Sequence, residues 1–239
     1  FRLISPNNKY TSLMEIATKL HHIEQKIETS ARKFGRSPNS IQLLAVSKTK
    51  PASMVQHAYD AGQRHFGENY LQDALEKIEA LPLEGIVWHF IGAIQSNKTR
   101  TISEKFDWVH GIERLKIARR LGEQRPAERG PLNLCIQLNS SGEESKSGIS
   151  FEALPELAMQ ISQLPGVRLR GLMTLPAPAK ELDQQRLPFR RLHQAMAQLN
   201  QQGLSLDTLS MGMSGDLEAA IAEGATLVRI GTDIFGARQ

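Results

Sequence analysis

In its first quarter the chain carries the stretch Leu43-Leu44-Ala45-Val46-Ser47-Lys48-Thr49-Lys50-Pro51, which leads an apolar run directly into a lysine. The run from Ile41 to Val46 is typical of a buried β-strand, and Pro51 is a favoured first residue of a helix. In parallel sheets and barrels the carboxyl ends of the strands carry the chemistry. A lysine held there among apolar groups loses solvation, so its neutral amine can attack an aldehyde. Lys48 is therefore a candidate nucleophile, although this stretch alone also fits a surface lysine at a strand end.

From Ile41 onward, strand-type runs alternate with helical patterns. The predicted strands are 41–47, 64–67, 86–91, 107–111, 132–138, 167–174, 207–211 and 226–230. The predicted helices between them are 52–61, 69–80, 97–105, 113–121, 151–163, 183–202 and 215–223. Eight strands joined by seven helical connections predict an α/β fold, a single (β/α)8 TIM barrel. A doubly wound open sheet is the alternative, but no G-x-G-x-x-G follows the first strand.

An additional helix precedes the repeating part. Residues 1–10 have no hydrophobic period and are expected to be loose. Ser12 and Glu15 have capping-box spacing, apolar residues then recur at helical intervals, and Gly35 can close the helix. We expect a leading helix over 12–35 that serves packing. No linker-like segment divides the chain, so residues 1–239 are expected to form one domain.

Two short stretches look suited to binding a phosphate. In Gly212-Met213-Ser214-Gly215-Asp216, glycine and serine precede a helical pattern, whose first amides can face an anion. Gly231-Thr232 follows the eighth strand and supplies amides and a hydroxyl. Barrels often bind phosphate with the loops after strands 7 and 8, where both stretches lie. The candidate phosphate-end residues are Met211, Gly212, Ser214, Gly231 and Thr232.

Closure of the barrel brings the lysine and the phosphate stretches together. Strand 1 then neighbours strand 8 at about 4.8 Å, so Lys48 stands beside Gly231-Thr232. An amine and a phosphate site on one rim suit a phosphorylated aldehyde. Pyridoxal 5′-phosphate (PLP) is one such compound, and the substrate of a sugar-phosphate aldolase is another.

Two further side chains are candidates for contacting a bound ring. Arg229 lies two residues before Gly231 and points into the rim by the alternation of a strand. Its guanidinium can donate to a ring nitrogen and so disfavour ring protonation, which makes the ring a poor electron sink; pairing with a carboxylate is its alternative role. Asn69 can hydrogen-bond a phenolic oxygen or can instead cap the following helix.

Composition and motifs exclude several other classes of protein. The net charge of +4 lies within residues 95–130, which carry nine Lys/Arg against five Asp/Glu without aromatic interleaving. We therefore interpret this basic window as a solvated surface and expect no nucleic-acid binding. No apolar run of membrane-spanning length occurs, and the one cysteine, Cys135, sits inside an apolar run, which is typical of a reducing, cytoplasmic location. No metal-binding histidine pair and no G-x-S-x-G occur, so we expect no metal.

Together these segments resemble a known family, the pyridoxal phosphate homeostasis proteins. The blocks that carry the resemblance, from about residue 12 to Arg238, are Leu44-Ala45-Val46-Ser47-Lys48-Thr49-Lys50-Pro51, Phe66-Gly67-Glu68-Asn69, His89-Phe90-Ile91-Gly92, Gln95-Ser96-Asn97-Lys98, Ser145-Lys146-Ser147-Gly148, Gly171-Leu172-Met173, Ser210-Met211-Gly212-Met213-Ser214 and Val228-Arg229-Ile230-Gly231-Thr232. So many blocks in the same order are specific.

The resemblance implies a barrel like the N-terminal domain of alanine racemase, with an internal aldimine on Lys48. It implies a PLP carrier without established catalysis, which buffers the cofactor or delivers it to apo PLP-dependent enzymes; we expect a monomer. Lys146, on the polar rim loop, is a candidate for a second PLP site. Two positions depart from the family pattern, Gly215 in place of an acidic residue and Asp233 in place of a small one. Asp233 would alter phosphate affinity if it faced inward.

A PLP-dependent racemase or decarboxylase of small amino acids is the competing hypothesis. Such relatives bring a second β-domain and a tyrosine opposite the lysine. We expect no room for that domain in a chain that stops at Gln239. Of Tyr10, Tyr59 and Tyr70, only Tyr70 begins near a rim loop. A Schiff-base aldolase, colourless before substrate is added, is the third hypothesis.

Overall fold

The protein is a closed eight-stranded parallel barrel. A computed structural model of the chain describes the backbone of residues 6–141 and 147–237, and side chains from residue 13 within those ranges. The strands occur in sequence order around the barrel. They are β1 Gln42–Val46, β2 His65–Glu68, β3 Val87–Phe90, β4 Trp108–Ile112, β5 Leu132–Leu138, β6 Val167–Thr174, β7 Thr208–Ser210 and β8 Leu227–Ile230. The predicted TIM barrel is confirmed.

Helices on the outside connect the strands. They are α1 Pro6–Lys33, α2 Ala52–Asp60, α3 Leu71–Ala80, α4 Thr99–Lys105, α5 Leu115–Glu123, α6 Leu154–Ser162, α7 Leu182–Gln201, α8 Leu217–Ala222 and α9 Thr232–Phe235. The one-turn helix α9, directly after β8, was not predicted. None of the helices in the described ranges is long and apolar enough to cross a membrane.

The barrel closes where its first strand pairs with its last. β1 runs parallel to β8, with Leu44 opposite Arg229 and Ala45 opposite Ile230. A parallel ladder in this register brings the carboxyl ends of both strands to the same rim. The predicted neighbourhood of Lys48 and Gly231 is therefore present.

The leading helix starts earlier than the sequence interpretation placed it. Helix α1 begins at Pro6, so residues 6–10 are helical and Ser12 lies inside the helix rather than at its cap; residues 1–5 lie outside the described part. Proline is favoured in the first turn of a helix, where no amide donor is needed, and this signal outweighed the local Ser12-Glu15 spacing. The helix ends near the predicted point, where Gly35 has a φ of +68°.

Helix α1 covers the closure seam. One face of it is buried, including Ile16, Leu20, Ile23 and Ile27, and it packs against α2, α8 and α9. Those helices follow β1, β7 and β8 respectively, so α1 braces the strands whose ends form one side of the rim. Cys135, inside β5, is fully buried, and burial raises the pKa of its thiol to about 12.

Candidate functional site

A cavity of about 390 Å³ opens at the carboxyl ends of the strands. This volume suits a small cofactor. Its lining combines three kinds of residue: lysines and an arginine, small polar residues, and an apolar group. They are Val46, Lys48, Thr49, Lys50, Asn69, Ile91, Met173, Leu175, Met213, Ser214, Gly215, Arg229, Gly231, Thr232 and Gly236. Six of the eight residues predicted for cofactor binding therefore share this cavity.

Lys48 sits on a tight turn directly after β1. The amide of Lys50 donates to the carbonyl oxygen of Ser47 at 3.0 Å, which closes the turn. Within it, Thr49 has a φ of +62°, a left-handed conformation that is strained for a β-branched residue. Its amide donates to Asp73 Oδ2 at 2.9 Å, which helps to hold that conformation. The strain is thus stored beside the candidate nucleophile.

A buried lysine clamps the same turn from below. Lys77 of α3 donates to the carbonyl oxygen of Ser47 at 2.7 Å, and it also pairs with Glu68 Oε1 at 2.8 Å and Asp73 Oδ2 at 2.9 Å. Ser47 Oγ donates to Glu68 Oε1 at 2.5 Å. Charge-assisted hydrogen bonds of this kind are short and directional. We call Glu68, Asp73 and Lys77 the turn clamp, because together they fix the backbone that carries Lys48.

Glu68 is the unusual member of the turn clamp. Its side chain is fully buried, and Oε2 has no hydrogen-bond partner among the described residues. Burial raises the pKa of this carboxyl to about 7, although the Lys77 ammonium and the Ser47 hydroxyl act in the opposite direction. A carboxyl poised in this way changes charge near neutral pH, directly beneath the lysine turn.

Arg229 enters the cavity from β8 and is almost completely buried. Its Nη1 donates to Ser210 Oγ at 2.8 Å and its Nη2 to the carbonyl oxygen of Thr174 at 2.9 Å. Burial lowers the pKa of the guanidinium to about 10, partly offset by Asp216. Both partners are neutral, so the alternative of a direct carboxylate pair does not apply to these two bonds. The guanidinium is fixed in orientation and keeps further N–H donors for the cavity side.

The phosphate-end residues divide into two groups. Ser214, Gly231 and Thr232 line the cavity, whereas Met211 and Gly212 do not. Met211 is fully buried in the core, because the chain leaves β7 with this side chain packed inward. Gly212 has a φ of +97°, and a Cβ placed there would lie 2.5 Å from the Cβ of Ala220. Its role in this structure is to let the loop turn and pack against α8.

The structure locates three residues whose roles the sequence left open, Asn69, Asp233 and Gly215. Asn69 lines the cavity and makes no side-chain cap of α3, and its Oδ1 is buried without a partner in the described part of the chain. Asp233 does not line the cavity and instead lies 3.9 Å from Lys26 of α1. Gly215 lines the cavity, and a Cβ added there would meet no atom within 4 Å. Lys146 falls outside the described residues.

The residues present fit PLP. Arg229 can donate to a ring nitrogen, and the orphaned Oδ1 of Asn69 can accept from a phenolic hydroxyl. Val46, Ile91 and Met173 give apolar walls for a flat ring, and Ser214 and Thr232 bring hydroxyls for a phosphate. This donor set matches an aldehyde that carries both a ring and a phosphate.

The chain is similar in sequence and fold to known proteins. Residues 18–239 match the model of the family described as alanine racemase, N-terminal domain. Over 94% of its length the chain is 57% identical to the pyridoxal phosphate homeostasis protein of Pseudomonas aeruginosa, of which 96% is covered. The chain belongs to the pyridoxal phosphate homeostasis protein family. The family member of Escherichia coli K12 is 55% identical over 94% of this chain and 97% of that protein.

Solved structures place the family among related barrels. PipY of Synechococcus elongatus, determined with PLP bound, is 38% identical with a TM-score of 0.81 and covers 92% of this chain and all of PipY. Alanine racemase from Corynebacterium glutamicum has a TM-score of 0.70 at 18% identity, and the match covers 61% of it. This second likeness concerns the fold alone.

Sequence reasoning missed the residues that support the site from beneath. Lys77 occupies a buried position of α3, in step with Leu71, Ala74 and Ile78, and this spacing was a usable signal for an inward lysine. Glu68 was noted only as part of a block. Ser210, which accepts from Arg229 Nη1, was likewise not assigned a role.

Proposed function

We propose that this protein binds PLP in the cavity at the barrel mouth and holds it through a Schiff base on Lys48. The supporting observation is that Lys48, from the end of β1, and Gly231 and Thr232, after β8, line one cavity. Residues from the two ends of the barrel sequence meet only through closure. An amine and a set of phosphate donors on one wall match the two ends of this cofactor.

The chemistry required of the chain is small. With PLP bound, Lys48 would supply the amine for a Schiff base with the cofactor's aldehyde, and one water would be released. The turn clamp fixes the backbone that carries Lys48, and Arg229 would donate to the ring nitrogen. A donor at that nitrogen disfavours its protonation and weakens the ring as an electron sink. The site is therefore suited to holding the cofactor rather than to carbanion chemistry.

Homeostasis is favoured over amino-acid racemisation. The described lining residues include no tyrosine, histidine or cysteine, so none of these groups is present to move a proton on the face opposite Lys48. Tyr70 is half exposed and lies outside the lining. The relatives at more than half identity are named homeostasis proteins. A racemase or decarboxylase remains the second candidate, supported by its shared barrel.

Buffering and delivery complete the proposal. We infer that the protein acts as a cytoplasmic monomer that releases PLP to apo PLP-dependent enzymes. A free, buried cysteine suits a reducing compartment. The cavity opens at the rim, where a recipient could approach Leu175 and Met213, two lining residues with exposed side chains.

Borohydride trapping tests the proposal. The protein incubated with PLP should become yellow, and reduction should attach a phosphopyridoxyl group to Lys48, located by peptide mapping. Lys48→Ala should lose both signals while keeping its circular dichroism spectrum. Lys50→Ala is the matched control, because Lys50 lines the same cavity but donates to the carbonyl oxygen of Ala237 at 2.6 Å. A label on Lys50, or a yellow Lys48→Ala protein, would contradict the assignment. Steady turnover of alanine would favour the racemase.

A further inference from the structure

A continuous row of hydrogen bonds crosses the barrel interior. Ser210 Oγ lies 2.7 Å from His110 Nδ1, and His110 Nε2 lies 2.9 Å from His89 Nδ1. His89 Nε2 in turn lies 3.0 Å from His65 Nδ1. The first three residues are fully buried, whereas His65, the first residue of β2, is partly exposed. We call Ser210, His110, His89 and His65 the histidine chain.

The histidine chain ends on the arginine of the cavity. Arg229 Nη1 contacts Ser210 Oγ at 2.8 Å, and a guanidinium can only donate. The serine oxygen therefore accepts, and its own hydrogen needs another acceptor. Among the described residues the other hydrogen-bond partner of this hydroxyl is His110 Nδ1. If His110 donated to Ser210 instead, a buried hydroxyl hydrogen would be left unsatisfied, which is unfavourable.

Burial keeps the two inner rings neutral. Loss of hydration lowers the pKa of His110 to about 3, and the Arg229 cation acts in the same direction. Burial, together with the neighbouring His110 and His65, lowers the pKa of His89 well below its ordinary value. A neutral imidazole has one donor nitrogen and one acceptor nitrogen. A ring that accepts at Nδ1 must therefore donate from Nε2, so the direction set at Arg229 passes from ring to ring.

We propose that the histidine chain positions Arg229: it forms a one-directional hydrogen-bonded relay in which every ring carries its proton on Nε2. The relay rests on the proposed role of Arg229 toward the cofactor ring. The carbonyl oxygen of Thr174, on β6, accepts from Nη2 of the guanidinium, and Ser210 Oγ of the relay accepts from Nη1. Reversing any one ring would leave two donors or two acceptors facing each other. The orientation of Arg229 is thereby tied to side chains from β2, β3, β4 and β7.

The relay makes a direct spectroscopic prediction for the protein without cofactor. Long-range ¹H–¹⁵N correlation on histidine-labelled protein at about pH 8.5, well above the ordinary histidine pKa, should show the Nε2–H tautomer for His65, His89 and His110. His193 is an internal control, because its Nδ1 lies 2.9 Å from the carbonyl oxygen of Glu223 and must donate to it. Its neutral ring should show the opposite tautomer. An Nδ1–H tautomer at His89 or His110 would overturn the relay.

A variant tests whether the relay matters for the cavity. Ser210→Ala removes the acceptor of Arg229 and the donor to His110, so we expect PLP to bind roughly 5–10-fold more weakly and the His110 Nδ1 resonance to move. Ser103→Ala is the matched control, because the hydroxyl of that fully buried serine contacts only the backbone carbonyl oxygens of Arg100 and Gln124 among the described residues. It should leave PLP affinity unchanged.

The outcomes separate the relay from the proposed function. Wild-type affinity in Ser210→Ala, or an equal loss in Ser103→Ala, would refute the positioning role. If Ser210→Ala does not fold, the tautomers of the unaltered protein still decide the matter. Failure to trap PLP on Lys48 would remove the proposed function and leave those tautomers as they are.

Discussion

Gly212 shows how one backbone angle shapes the loop after β7. Its φ of +97° lies in the region that favours glycine, and Ala220 of α8 packs where a side chain would be. The loop can therefore bring Ser214 to the cavity only if this position has no Cβ. The requirement is steric and does not depend on any contact with the cofactor.

Gly212→Ala should lower the free energy of unfolding by about 2 to 4 kcal/mol, since it adds both a left-handed penalty and an overpacked contact. Gly215→Ala is the matched variant, because a Cβ there meets nothing within 4 Å, and it should stay within about 0.5 kcal/mol of wild type. Urea unfolding of both proteins gives the comparison. Equal effects in the two variants would contradict the steric explanation.

Single residues also mark the limits of sequence reasoning. The alternation of a strand was enough to aim Arg229 into the barrel, because residues two apart share a face. It could not say whether Asp233 faces the phosphate end, since that depends on the unpredicted helix α9 and on Lys26 of α1. The burial of Met211 in the core could not be predicted either, because the chain turns sharply at the next residue, Gly212.

At the scale of elements, β1, its turn and α3 act as one unit. The turn clamp joins the turn after β1 to α3, since Lys77 lies 30 residues beyond Ser47 in the sequence, and it includes a buried carboxyl, Glu68. A folded-state pKa of about 7 exceeds the ordinary value of 4.5. The protonated form of Glu68 therefore favours folding. That contribution is fully present below about pH 4.5 and is lost as the pH rises through 7.

Glu68→Gln isolates this contribution, because glutamine keeps the shape and stays neutral. The difference in unfolding free energy, wild type minus variant, should fall by up to about 3 kcal/mol between about pH 4.5 and 7.5. Subtracting the variant removes the opposing titration of the buried histidines. Denaturant unfolding across this range measures the difference. A difference that stays flat, or that rises with pH, would be incompatible with a raised pKa at Glu68.

Elements were the level best predicted from the sequence. Each of the eight predicted strands overlaps an observed one, because short apolar runs bounded by helical patterns leave few alternatives. The start of α1 was missed, since a capping-box spacing is a local signal that also occurs inside helices. The turn clamp was missed for another reason. A lysine on an amphipathic helix is normally solvated, and only the packed barrel shows that Lys77 is 2% exposed.

At the scale of the whole molecule, α1 acts as a brace across the closure seam. Ile23 is only 1% exposed and lies on the face that packs toward α2, α8 and α9. Those three helices follow the strands that bring Lys48, Ser214 and Thr232 to the cavity. The brace thus contributes to stability at the place where the two ends of the barrel meet.

Ile23→Ala should lower the free energy of unfolding by about 2 to 5 kcal/mol, the usual range for a cavity left in a core. Met14→Ala on the same helix is the control, since that side chain is 70% exposed, and it should change stability by less than about 0.5 kcal/mol. Saturating PLP should recover part of the loss in Ile23→Ala, because a ligand of the folded state stabilises it by mass action. A loss in Met14→Ala equal to that in Ile23→Ala would show that α1 does not pack in this way.

The histidine chain is a property of the closed barrel that no single segment reveals. His89 is fully buried and has a hydrogen-bond partner at each ring nitrogen. Its partners stand on neighbouring strands and its connection to Arg229 passes through β7. Each histidine lies within a strand, which was a weak signal for a shared interior row. The alternation of a strand indicates which side chains point into the barrel, but it does not indicate which of them contact each other there.

The pairing of β1 with β8 has a consequence for the order of events during translation. Lys48 leaves the ribosome long before Gly231 and Thr232 are polymerised, and a nascent chain without β8 has no wall to grip a phosphate. If Lys48 holds PLP as proposed, cofactor binding can begin only after the last strand has docked, and the yellow colour expected of the Schiff base would report completed chains. A chain truncated before β8 should therefore not bind PLP.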